Sequence, residues 1–173
     1  MKHAYLKDFI YGAIDGTVTT FAVVAGVAGA DLSMGIVLIL GAANLVGDGF
    51  SIGVSSFLAA RTERDIYLKQ QIPRMVHLSP IRSGLSTFSA FLIAGLVPLV
   101  PFIFKWLSPH TVFDAFYWSA VATGIGFFII GALKAPFIHR KWFVSGLQTF
   151  LMGAIAASLA YFVGMWLRNL SSI

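Results

Sequence analysis

No cysteine occurs among the 173 residues of this chain, and only 11% of them are charged. The missing thiols exclude a disulfide-stapled secreted scaffold. A soluble domain carries roughly 25% charged residues. With a hydrophobic share of 58% and a mean hydropathy of +0.85, the shortage of charge excludes both disorder and an ordinary soluble enzyme. No P-loop, dinucleotide fingerprint or zinc-ligand spacing is present. All four histidines (His3, His77, His110, His139) fall in tails or loops, and no nucleophile–base pair lies at a shared depth, so neither an enzyme nor a prosthetic group is expected. What remains is a membrane protein.

Five apolar runs account for the chain as one all-α integral membrane domain, 1–173, with spans at about 9–29, 34–60, 82–107, 113–134 and 143–167. The second run is long, so its end near Arg61 is expected to project into water. Pro98 and Pro101 sit late in the third and should kink or shorten it. The first run follows Lys2 and Lys7 like a signal peptide, but it is too long for one and contains Asp15. Ten of the twelve basic residues lie before span one, between spans two and three, or between four and five; Lys105 and Arg168 are the exceptions. By the positive-inside rule the N-terminus is cytoplasmic and the C-terminus outside or lumenal. Attraction to the bilayer's anionic inner leaflet accounts for the net charge of +5 without nucleic acid.

Only seven acids are present: Asp8, Asp15, Asp31, Asp48, Glu63, Asp65 and Asp114. Asp15 and Asp48 lie well inside spans, where a carboxylate costs about 2.5–3.5 kcal/mol on insertion scales, and such residues usually mark ion or proton pathways. Asn44, Asp48, Ser51 and Ser55 share one face of span two. Asp8, Gly12, Asp15, Thr19, Ala22 and Gly26 share one face of span one. Oxygen-lined stripes on consecutive antiparallel helices suit a hard or borderline divalent cation; the same small residues also suit close helix packing. At about 1.5 Å per residue, Asp15 should lie about 10 Å and Asp48 about 18 Å inside the cytoplasmic boundary. Asp48 is then level with Thr19 and Thr20, and the two acids look like successive stations or a site completed by a second subunit. Spans three (Ser83, Ser86, Ala90, Ala94) and five (Ser145, Thr149, Gly153, Ala157, Ala160, Gly164) read as packing faces.

The segments DFIYGAIDGTVTTFAVVAGVAGA (Asp8–Ala30) and GAANLVGDGFSIGVSSFLAARTERD (Gly41–Asp65) closely resemble the paired signature of the vacuolar iron transporter family. SPIRSGLSTFSAFLIAGLVPLVPF (Ser79–Phe102), GALKAPF (Gly131–Phe137) and SGLQTFLMGAIAASLAYFVG (Ser145–Gly164) resemble its third, fourth and fifth spans. The resemblance implies a homodimer that moves Fe2+, often Mn2+, out of the cytoplasm in exchange for protons. It implies Asp15 in the ion path at the dimer interface, and span-two ligand positions at Asn44, Asp48 and Ile52. The family's usual Ser-Met-Gly is Ser51-Ile52-Gly53 here, which removes a soft thioether, and some members carry Glu where Asn44 stands. The connection Arg61–Pro80 offers only Glu63 and Asp65 as acids, so the Glu-rich cytoplasmic domain of plant members is not expected.

The resulting expectation is a divalent-metal exporter, proton-coupled, with metal ligands among Asp15, Asp48, Asn44, Ser51 and Thr19. Metal enters past Glu63, Asp65 and Asp8, although ordinary salt bridges of Glu63 and Asp65 with Arg61, Arg64 or Lys69 are the simpler expectation for those two. Short loops suggest a prokaryotic inner membrane, with an organellar one as the alternative. The competing function is a non-transporting membrane scaffold in which both intramembrane acids only hold helices together.

Overall fold

The computed structural model describes residues 5–70 and 79–171. Lys2, His3, Arg74 and His77 lie outside them. The chain forms α1 (Leu6–Gly29), α2 (Met34–Lys69), α3 (Pro80–Leu96), α4 (Val100–Leu107), α5 (Ala115–Lys134) and α6 (Trp142–Ser171), with short 3-10 turns at Val97–Leu99 and Ala135–Ile138. Five stretches are long and apolar enough to cross a membrane: Leu6–Gly29, Met34–Lys69, Pro80–Leu107, Ala115–Phe137 and Trp142–Leu170. The fold is an all-α multi-pass membrane bundle.

Local chemistry explains the boundaries. Asp31, with φ 56°, turns the chain between α1 and α2 in the left-handed region that Asp tolerates. No breaker stands between Ala59 and Lys69, where Ala, Arg, Glu and Lys favour helix, so α2 continues beyond the expected end at residue 60 to Lys69. Pro80 opens α3 at its first position, where its missing N–H costs nothing. Pro98 and Pro101 interrupt the third span as expected, and the break is a 3-10 turn rather than an end. There the Pro98 carbonyl accepts the Ser119 hydroxyl at 2.6 Å, which satisfies backbone inside the bundle. Asp114 caps α5 by accepting the N–H groups of Phe116 (2.9 Å) and Tyr117 (3.3 Å).

Helix α1 is the centre of the bundle and packs against α2, α3, α5 and α6. Gly12 and Gly16 let α3 approach so closely that a Cβ at either would strike the backbone of Thr87 or Phe91. Phe21, Val24, Val27, Leu45, Phe91 and Leu99 form the main apolar cluster between α1, α2 and the third span. Ser145, Thr149, Gly153 and Gly164 are buried on α6, in line with the packing face read from span five. By contrast, α2 turns much of its surface outward, including Ile39, Val46 and Phe50.

Candidate functional site

The polar stripes of α1 and α2 meet through Asn44. Its Nδ2 lies 3.4 Å from the hydroxyl oxygens of both Thr19 and Thr20. Thr19 donates its own proton to the Asp15 carbonyl at 2.9 Å. Its oxygen is therefore the acceptor towards Asn44, which holds the amide nitrogen against α1 and leaves Asn44 Oδ1 for another partner. One turn from Asn44 along α2 stands Asp48, and one turn back from Thr19 along α1 stands Asp15. The helices are antiparallel, so with Asn44 opposite Thr19 the two carboxylates come to the same level on facing helices.

This register corrects the depth expected from span boundaries, which set Asp48 beside Thr19 and Thr20 and well away from Asp15. Helix α1 begins at Leu6 rather than 9, and Asn44, not Asp48, pairs with the threonines. Among the described residues, no group of three or more His, Cys, Asp or Glu is close enough to hold a metal. The chain by itself brings together two carboxylates and neutral oxygens from Asn44 and Thr19. A hard divalent cation takes six or more oxygen ligands, so this set leaves positions for water or for further protein oxygens.

Exposure divides the set. Thr20 is fully buried, and Asn44, Asp15 and Thr19 are partly buried, but Asp48, Ser51 and Ser55 are exposed. Within the single chain Asp48 and Ser51 keep much of their surface open, and Ser55 opens into a cavity. Gly47, beside Asp48, faces open space: a Cβ there would meet nothing within 4 Å.

Towards the end of the bundle rich in basic residues, the stripe runs into a cavity of about 360 Å³ whose lining includes Asp8, Glu63, Lys7, Ser55, Ser56 and Ser83. Two of the three acids expected at the metal's point of access, Asp8 and Glu63, therefore share one cavity, whereas Asp65 is exposed on α2 outside it. Glu63 accepts the Tyr67 hydroxyl at 3.2 Å. The salt bridges expected for Glu63 and Asp65 with Arg61, Arg64 or Lys69 do not form. Among the described residues the ion pair is instead Asp31 with Arg168, 2.8 Å apart at the opposite end.

Asp8 is held by α3. Ser83 Oγ donates to Asp8 Oδ2 at 2.6 Å, Ser56 Oγ lies 3.3 Å from Ser83 Oγ, and Thr87 Oγ1 lies 2.8 Å from Ser56 Oγ. Sequence reading missed Ser56, Ser83, Thr87 and Thr20 as site residues. Hydroxyls at helical spacing look the same whether they pack or bind; the available signal was that Ser83 and Thr87 stand one turn apart near the start of span three, at the depth of Asp8.

The sequence profile of the VIT family matches this chain over residues 6–74 and 68–165, two stretches that overlap at 68–74. Similar proteins include a vacuolar iron transporter of Toxoplasma gondii, 26% identical with 95% of this chain and 74% of that protein covered. Vacuolar iron transporter 1 of Eucalyptus grandis is 27% identical, covering 90% of this chain and 84% of that one. Vacuolar iron transporter 1 of Arabidopsis thaliana is 27% identical, covering 90% and 83%. These alignments run over 226 and 212 positions, more than the 173 residues here, so the relatives contain residues that this chain lacks.

Proposed function

This chain belongs to the VIT family, and from that premise we propose that it is a divalent-metal transporter that exports Fe2+ or Mn2+ from the cytoplasm in exchange for protons. One observation carries the reading: Asp48, on a membrane-spanning helix, is exposed beside the partly buried Asp15, with the Ser51–Ser55 stripe leading from it to the acid-lined cavity. A carboxylate facing lipid is costly. A second copy of the chain laid against α2 covers it and brings a second Asp15–Asp48 pair with the missing ligands, so the working unit is a homodimer. The names of the relatives support metal as the cargo.

In this reading the cation enters past Glu63, Asp65 and Asp8, and Asp65 acts from the open surface. It then follows Ser55 and Ser51 to Asp48, Asp15, Asn44 and Thr19. Carboxylates must be deprotonated to hold a metal, so binding and release exchange protons with the ion. The ten-to-two split of basic residues supports a cytoplasmic N-terminus, and the short connections support a prokaryotic inner membrane as the site of action.

The test is metal flux into proteoliposomes containing the purified protein. Mn2+ and Fe2+ are expected to accumulate under an opposing proton gradient, and Asp15→Ala and Asp48→Ala to abolish the flux. Full transport by both variants would overturn the assignment.

A further inference from the structure

We propose that Ser83 is a positioning residue for Asp8: through a hydroxyl chain with Ser56 and Thr87 it ties one carboxylate oxygen to α3 and leaves the other for the arriving divalent cation. This inference rests on the transport reading above and adds a third helix to its machinery. Span three was expected to supply packing only.

The geometry of the chain carries the argument. At 2.6 Å the Ser83–Asp8 contact is a short hydroxyl-to-carboxylate hydrogen bond. A serine hydroxyl has one proton. With that proton on Asp8 Oδ2, Ser83 Oγ is left as an acceptor for Ser56, 3.3 Å away. Ser56 in turn faces Thr87 Oγ1 at 2.8 Å, whose proton also has the Ser83 carbonyl within 3.1 Å. Every hydroxyl dipole can then point towards the carboxylate, and aligned bonds of this kind reinforce one another.

Ser83 and Thr87 are enclosed by packing. Ser83 is 5% exposed and Thr87 fully buried, packed where α1, α2 and α3 meet. Tyr5, which caps α1, is also tied to Ser79 at the start of α3 and to Ser86 within it, residues on either side of Ser83. The Ser79 N–H donates to the Tyr5 hydroxyl at 3.1 Å, and the Ser86 hydroxyl donates to the Tyr5 carbonyl at 3.2 Å. Asp8 therefore stands on a fixed frame at the wall of the cavity it shares with Glu63. Among the described residues no donor occupies Asp8 Oδ1, which makes it the free, monodentate oxygen. A pre-oriented ligand binds a cation more tightly than one that must be ordered on arrival.

The experiment measures Mn2+ flux into proteoliposomes as a function of Mn2+ concentration for wild type, Ser83→Ala, Asp8→Asn and the double variant. Ser83→Ala is expected to raise KM about tenfold, the loss expected when a hydrogen bond to a charged group is removed, with maximal flux unchanged. In the Asp8→Asn background the same substitution is expected to add nothing, because Ser83 acts through Asp8. An unchanged KM in Ser83→Ala, or an equal rise in both backgrounds, overturns the proposal while leaving transport standing. No flux in the wild type overturns transport and this inference with it. Should Ser83→Ala not fold, Ser56→Ala in the same cycle removes only the next link, and a KM rise of about threefold is expected from the lost cooperativity; no rise overturns the proposal.

Discussion

The side-chain amide of Asn44 on α2 lies 3.4 Å from the hydroxyl of Thr19 on α1, and this contact sets the register of two polar stripes. With Asn44 opposite Thr19, antiparallel geometry carries Asp48 to the level of Asp15, one turn nearer the basic end. A slip of one turn would set Asp48 against Thr19 and leave Asp15 alone in an apolar setting. The Asn44 amide thus joins the two polar stripes through its nitrogen, and in the proposed transporter its oxygen is left to face the ion.

Replacing Asp48 by Asn keeps the shape and removes the charge. Metal flux is expected to fall at least tenfold, since even indirect supports of a metal site cost about 10–100-fold. Thermal stability in detergent is expected to hold or rise, because an uncompensated carboxylate in a span costs about 2.5–3.5 kcal/mol. A lowered melting temperature with intact flux would favour the scaffold reading.

Gly47 separates assembly from folding. A side chain there meets nothing within the chain, but it projects from the exposed surface of α2 proposed to receive a second copy. Gly47→Trp is expected to leave the melting temperature of the monomer unchanged and to shift the protein from dimer to monomer in detergent, read by light scattering. Loss of transport should accompany the shift.

The α1–α3 seam responds in the opposite way. Ala at Gly16 would push its Cβ into the Phe91 carbonyl, a backbone atom that cannot swing aside. Gly16→Ala is expected to destabilise the fold by about 1–3 kcal/mol, as overpacking does. Gly35→Ala, whose Cβ would come no closer than 3.9 Å to Ser33 Oγ, should stay within about 0.5 kcal/mol of wild type, as surface changes do. Thermal unfolding of the two variants side by side measures the difference.

Breaking the Asp31–Arg168 pair should matter little. The two side chains are 70% and 45% exposed, and exposed pairs contribute about 0–1 kcal/mol. Asp31→Ala and Arg168→Ala are each expected to retain wild-type flux and to shift unfolding by less than that amount.

Ile52 tests metal preference. It is partly buried against the apolar cluster, one turn from Asp48 along α2. Ile52→Met is nearly volume-conserving and is expected to cost less than about 1.5 kcal/mol. The added thioether is a soft ligand that favours Fe2+ over the harder Mn2+. Competition flux assays are expected to show a higher Fe2+-to-Mn2+ ratio in the variant.

Much of the architecture is legible in the sequence. The five spans follow from run length against bilayer thickness, and the interruption at Pro98 follows from a missing N–H. Asp15 and Asp48 stood out because intramembrane carboxylates are costly. Their mutual position was not legible, since counting rise from uncertain span ends accumulates an error of a turn, enough to pair Asp48 with the wrong residue. Glu63 shows the same limit on a smaller scale: three cations nearby in sequence pointed to salt bridges, and the helix brought Tyr67 to it instead.

Sequence alone therefore determined what crosses the membrane and which residues are expensive there, because both depend on the transfer of single groups between water and hydrocarbon. Which faces meet is a different kind of question. Lipid is as apolar as a leucine side chain, so hydropathy does not mark the inner face of a membrane helix. Backbone approach at Gly12 and Gly16, and hydrogen bonds such as Asn44 to Thr19 and Ser83 to Asp8, join residues from different helices. These long-range contacts, which only the tertiary structure could decide, make α1 the centre of the bundle and give α3 its hold on Asp8.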